Sequence, residues 1–174
     1  MADFAGWEMP ILYNGIIAEH KSVRERAGIF DVSHMGQIFI SGPDTVAFLS
    51  YVTTWDMKRQ KDSDCRYCHV LDNNGRIIDD IIAYTFTSEE YMIIPNAATI
   101  ETILSWLLEN STDFDVHIEN LSNDYFCLAL QGPEAPRLLG QHLNTSVKPF
   151  RLVKERNTIV SGTGYTGELS LIHI

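Results

Sequence analysis

Basic residues are scarce: thirteen Lys plus Arg stand against twenty-three Asp plus Glu, a net charge of −10 over 174 residues. A chain of that sign repels a phosphate backbone or an anionic leaflet unless a local basic patch offsets it. The longest basic cluster, Lys58-Arg59-Gln60-Lys61, runs straight into Asp62 and Asp64 and reads as a solvated loop. No nucleic-acid or membrane partner is therefore expected. Long apolar runs are missing too, none approaching the ~18 residues of a membrane span. The start, with Asp3, Phe4 and Glu8, has neither a basic segment nor an apolar one of the secretory kind. Cysteine is limited to three, an odd number, which argues for free thiols in a reducing compartment and against a disulfide framework. What is present is 45% hydrophobic residues, enough to bury a core.

Periodicity places several elements. Ile16 to Arg26 has helical spacing with Gly28 close behind. Gln37 to Ser41 reads as a strand closed by Gly42-Pro43, with Asp44 opening a helix to about Tyr51. Asn96 opens the clearest helix, in which Ile100, Ile103, Leu104, Leu107 and Leu108 share one face. Val116 to Ile118 and Tyr125 to Leu130 read as strands, and Glu134 to Leu143 as a short helix entered through Pro133. Hairpins interspersed with helices, and no repeat, predict an α+β fold with antiparallel or mixed sheets and packed helices.

The stretch from Cys65 to Phe86 carries most of the chemistry. Two apolar runs flank Asp72-Asn73-Asn74-Gly75, and Asn-Gly between such runs signals a hairpin because both residues tolerate positive φ. Side chains alternate along a strand, so Asp79 and Asp80 point to opposite faces, and isoleucines on both faces put at least one carboxylate where burial is costly without a partner, the alternative being a place near a solvated edge. The same alternation sets Asp80 on one face with Ile78, Ile82 and Tyr84, and across the ladder with Tyr67, His69 and Leu71. An acid between tyrosines suits a flat polar heterocycle, with rings for stacking and a carboxylate for ring nitrogens. A structural hydroxyl-to-carboxylate network has the same composition.

Three other motifs carry less. Cys65-Arg66-Tyr67-Cys68-His69 has haem-attachment spacing, but a strand puts the two cysteines on opposite faces, so no metal or haem site is expected. Asp31-Val32-Ser33-His34-Met35-Gly36 holds Asp, Ser and His too close in sequence for a triad and reads as a turn. Gly162-Thr163-Gly164-Tyr165-Thr166-Gly167-Glu168 allows close backbone approach to a ligand but lacks the Lys-Ser/Thr end of a phosphate loop.

Six ordered motifs together resemble the glycine cleavage system T-protein family of aminomethyltransferases: Asp3 to Pro10, Phe30 to Gly36, Asn74 to Asp80, Pro95 to Ala98, Leu130 to Pro133 and Gly164 to Glu168. The resemblance covers residues 1–168, about the amino-terminal half of the family's chain, an incomplete folate-binding domain. It implies transfer of a one-carbon unit from the aminomethylated lipoyl arm of H-protein to tetrahydrofolate, with release of ammonia. It implies Asp80 as the essential acid, and folate contacts at Met35, Tyr67, Tyr84, Ile94, Asn96 and Tyr165. The implied setting is the bacterial cytoplasm or, in a eukaryote, the mitochondrial matrix with the targeting segment missing. Two other functions share parts of the pattern. One is a folate-dependent demethylase or the folate domain of a sarcosine or dimethylglycine dehydrogenase. The other is a non-catalytic folate-binding iron–sulfur assembly factor, whose signature loop differs from Thr163 to Glu168.

The chain departs from the family at Gly162, where Arg is usual, at Arg76, where a second Gly is common, and at Trp55, which replaces Asn. After Glu168 the family continues Asp-Gly-Phe-Glu, and here the chain reads Leu169-Ser-Leu-Ile-His-Ile174. Those residues are also the translation of CTGTCTCTTATACACATC, a transposon end used in sequencing-library preparation. Residues 169–174 are thus expected to be a non-native tail without a packing role.

Overall fold

The computed structural model describes residues 1–164 and the backbone of 171–173. In chain order it comprises β1 (Ala2–Phe4), β2 (Trp7–Met9), α1 (Ile16–Glu25), β3 (Gly28–Asp31), β4 (Ile38–Ser41), α2 (Thr45–Val52), β5 (Cys65–Leu71), β6 (Ile77–Thr87), β7 (Glu90–Ile94), α3 (Ile100–Asn110), β8 (His117–Asn120), β9 (Cys127–Gln131), α4 (Ala135–Leu143), β10 (Leu152–Glu155), β11 (Thr158–Ser161) and β12 (Leu171–His173). Short 3-10 turns occupy Met57–Arg59 and Ala97–Thr99. Every strand-to-strand ladder is antiparallel among the described residues, so the α+β expectation holds. The chain divides into two units, Met35–Tyr125 and the combination of Met1–His34 with Phe126–Ile174.

The central unit is built on a five-stranded sheet in the order β5-β6-β7-β4-β8. One face is packed by α2 and α3. Ile38, Ile40, Val70, Ile81, Ala83 and Ile93 from the strands meet Phe48, Leu49, Ile103 and Leu107 from the helices, all buried. The helical spacing of α3 is therefore the spacing of its contacts, with Leu108, at the margin of the stripe, half exposed. The β5–β6 turn differs from the expected Asn-Gly closure. Only Gly75 takes a positive φ, +76°, and the turn is held by the Asp72 carboxylate, which accepts from the N–H groups of Asn74 and Arg76 at 2.8 Å each. The N–H of Arg76, followed by that of Asn74, holds the Asp72 carboxyl below the usual carboxylate range. A bulge then re-pairs Leu71 with Ile77, so the alternation that set Leu71 beside Asp80 stops at Val70.

The other unit contains the β1–β2 hairpin, α1, α4 and a five-stranded sheet in the order β10-β11-β12-β9-β3. Glu19 of α1 accepts from the N–H groups of Tyr13, Asn14 and Gly15, which fastens the segment leading into the helix to its first turn. Leu139 of α4 packs on Val160 of β11, beside Leu130 and Val147. β12 is an inner strand: Leu171–His173 pair with Ser161 to Ile159 on one side and with Ala129 to Cys127 on the other. That pairing reverses the consequence expected of the tail. Deleting residues 169–174 would leave the facing edges of β9 and β11 unpaired. At about 1 kcal/mol per lost ladder bond and about 2–4 °C per kcal/mol, the melting temperature should fall by more than about 5 °C. Calorimetry of the full and truncated chains measures it; a change within about a degree would show that β12 adds nothing to the sheet.

Candidate active site

Strand pairing brings the candidate residues of β5, β6 and β7 together. Asp80 lies directly across from His69, Tyr67 across from Ile82, and Ile82 across from Ile94 on the next strand. The Tyr67 hydroxyl donates to Asp80 Oδ2 at 3.1 Å, and the rings of Tyr67 and His69 meet edge to face at 5.4 Å. Tyr67 is 49% exposed, which leaves an aromatic surface and an acid side by side. His69 is fixed from behind by Thr54, whose Oγ1 accepts from the His69 N–H at 3.0 Å.

Asn96 completes the group from the start of the α3 segment. It occupies the N-cap position of the Ala97–Thr99 turn, yet its side chain makes no capping bond. Its Nδ2 donates instead to Asp79 Oδ1 at 2.7 Å, to the Asp80 carbonyl at 3.1 Å and, more weakly, toward Asp80 Oδ1 at 3.4 Å. One amide thus spans both aspartates. Met35 lies in the connection leading into β4: the Gly36 N–H donates to the Pro95 carbonyl at 3.0 Å, and buried Gln37 holds the Met35 carbonyl through Nε2 at 2.9 Å. Gly36 is needed for this approach, because a Cβ there would stand 2.6 Å from Pro95 Cγ and 2.9 Å from Ile100 Cγ1.

The remaining candidates are placed differently. Tyr84 shares the Asp80 face by register but is fully buried, paired with Cys65 and Met92, and Ile94 is buried as well. Tyr165 lies outside the described residues. The residue that sequence reasoning valued least is Asp79. It is 6% exposed and accepts three bonds, from the Asn96 N–H at 2.9 Å, Asn96 Nδ2 at 2.7 Å and Thr99 Oγ1 at 2.6 Å. The signal was present, since a carboxylate between buried isoleucines requires donors. Their location in Asn96 and Thr99 is a tertiary fact that strand alternation does not contain.

The Cys65–His69 and Asp31–Gly36 motifs are held by structural contacts, whereas residues 165–168 of the glycine-rich motif lie outside the described residues. Cys65 and Cys68 pair with Tyr84 and Ile81, which are an odd number of positions apart, so their side chains leave the strand on opposite faces. Burial pushes the Cys68 thiol up to about 11 and the Cys127 thiol to about 12, far from the thiolate that a nucleophile or metal ligand needs near neutral pH. Ser33 Oγ accepts from the Cys127 N–H at 3.1 Å, committing the hydroxyl to β9. The Ser33 hydroxyl and N–H hold the Asp31 carboxyl below its ordinary range, and burial lowers His34. Asp31 to His34 is a turn.

With this geometry in place, residues 1–171 match the family model described as the GCVT N-terminal domain. The chain belongs to that family. It is 40% identical to an aminomethyltransferase of Staphylococcus carnosus and 38% identical to one of Alkaliphilus metalliredigens, in each case over 97% of this chain and 48% of the relative. The glycine cleavage system aminomethyltransferase T of Bartonella henselae superposes with a TM-score of 0.92 at 31% identity, over 99% of this chain and 48% of that one. A heterotetrameric sarcosine oxidase from Corynebacterium matches with a TM-score of 0.60 at 13% identity, a likeness of fold alone. The chain spans about half the length of the curated relatives it matches. No described helix is long and apolar enough to cross a membrane.

Proposed function

We propose that this GCVT N-terminal domain is the folate-binding half of a glycine-cleavage aminomethyltransferase, with residues 1–168 forming the incomplete domain and 169–174 a tail of non-native sequence. The observation that carries the reading is the hydrogen-bonded group in which Tyr67 and Asp80 share one sheet face and the Asn96 amide reaches Asp80 from beyond β7. It joins an accessible aromatic ring, a carboxylate and an amide, the groups a reduced pterin requires. The substrates are tetrahydrofolate and the aminomethyl-lipoyl arm of H-protein. The arm's S–CH2 and C–N bonds break, two C–N bonds form to the folate nitrogens, and the protons of those nitrogens leave with the thiol and ammonia.

In this reading Asp80 accepts a hydrogen bond from a reacting folate nitrogen and takes its proton as the nitrogen attacks, while the Tyr67 hydroxyl keeps the carboxylate oriented. Asn96 and Met35 hold the heterocycle. Ile94 and Tyr84 shape the site from within the sheet. The reaction is tested by joining residues 1–168 to the carboxy-terminal half of a relative and measuring methylenetetrahydrofolate formed from aminomethylated H-protein. Absence of product from a soluble, folded hybrid would defeat the reading. The chain by itself should bind tetrahydrofolate weakly, because a part-built pocket leaves polar groups of the pterin unpaired. Low-micromolar affinity by titration calorimetry would contradict that.

A further inference from the structure

We infer that Asp79 is a positioning residue, which locks the Asn96 amide so that its nitrogen spans the two aspartates and its oxygen faces outward as a hydrogen-bond acceptor for the ligand. The orientation follows from donor and acceptor arithmetic. Carboxylate oxygens accept, so the Asn96 group facing Asp79 Oδ1 at 2.7 Å must be the NH2. The second Nδ2 hydrogen serves Asp80, through its carbonyl at 3.1 Å. Both hydrogens are used, and Oδ1 of Asn96 accepts from no group among the described residues. The side chain is also withheld from the task an N-cap asparagine ordinarily has, which is accepting from the following helical N–H groups.

Asp79 Oδ2 is in turn fixed by the Asn96 N–H at 2.9 Å and the Thr99 hydroxyl at 2.6 Å. The carboxylate therefore cannot rotate away from Asn96 without breaking two further bonds. The outward oxygen selects a ligand that presents an N–H donor there. Applied to a pterin this part rests on the folate reading, whereas the Asp79–Asn96 lock does not.

Asp79→Asn separates positioning from simple structural support. The new side chain has one oxygen and one NH2. Keeping the oxygen toward the Asn96 N–H and Thr99 sets its NH2 against that of Asn96, and the Asn96 amide must flip, turning its NH2 to solvent. The full 174-residue chain, labelled with 15N-asparagine, reads this directly as side-chain amide exchange with water. In the unsubstituted chain Asn96 should exchange at least ~10-fold more slowly than Asn73 and Asn74, which are exposed on the hairpin turn. Asp79→Asn should raise Asn96 to their rate. Thr99→Val, which removes a hydroxyl that donates to Asp79 Oδ2 and to the Asn96 carbonyl but touches neither bond of Asn96 Nδ2, should leave the Asn96 amide slow.

Asn96 exchanging as fast as Asn74 in the unsubstituted chain would overturn the inference whatever the variants do. So would an unchanged Asn96 in a folded Asp79→Asn variant, or release of Asn96 by Thr99→Val. Adding tetrahydrofolate gives a separate outcome. In the hybrid carrying a relative's carboxy-terminal half, a saturating addition that moves no Asn96 resonance would count against the folate reading and leave the Asp79 lock standing.

Discussion

Replacing Asp80 by Asn in the chain joined to a relative's carboxy-terminal half is expected to depress kcat by ~10²-fold or more, the scale on which a positioned acid or base contributes. The substitution keeps the side chain's size and its ability to accept from the Tyr67 hydroxyl, which lies 3.1 Å from Oδ2. It removes the proton acceptor. Asp79→Asn should give the opposite split: kcat within a few-fold, and KM for tetrahydrofolate raised about 10-fold, the equivalent of one lost hydrogen bond of about 1.4 kcal/mol. That effect arises through Asn96, whose flipped amide would set a donor against a donor of the ligand. Steady-state kinetics with aminomethylated H-protein measure both variants together. An active Asp80→Asn beside an inactive Asp79→Asn would invert the assignment of the two faces.

The legible part of this site was its alternation. Asp79 and Asp80 had to diverge, and Tyr67 and His69 had to join Asp80, because a ladder admits no other parity once the hairpin is granted. Alternation failed at Leu71, where the bulge was invisible in the residues, and it said nothing of Asn96, which comes from beyond the next strand. Strands such as β3 and β10 escaped notice because four residues with mixed exposure carry no period to detect. β7 escaped for the opposite reason: Tyr91 to Ile94 are all buried, so the strand shows no alternation of polar and apolar residues. Helix α3 was read well because its contacts all lie on one stripe. Asn96 was read as the residue opening that helix; it opens the preceding Ala97–Thr99 turn instead, and α3 is entered through Thr99. The Asn96 amide was drawn elsewhere by two carboxylates whose approach depends on β7 and on the close contact at Gly36.

Stability should divide between the two aspartates in the reverse order to turnover. Asp79→Ala strips the acceptor from three donors in a site only 6% exposed. The backbone N–H of Asn96 has no other partner among the described residues, and Thr99 and Asn96 Nδ2 each lose their shortest bond. At about 1 kcal/mol per bond, with more for a donor left dry, the expected loss is about 2–4 kcal/mol. Asp80→Ala removes a partly exposed carboxylate whose neighbours, Tyr67 at 49% exposure among them, can turn to water, so its cost should stay below about 1 kcal/mol. Urea denaturation of the two variants against the parent chain, followed by far-ultraviolet circular dichroism, measures the difference as a shift in midpoint at constant slope. Equal losses would mean that Asp79 carries no more of the fold than its neighbour. A larger loss for Asp80 would place the buried, structurally committed carboxylate on the wrong side of the strand.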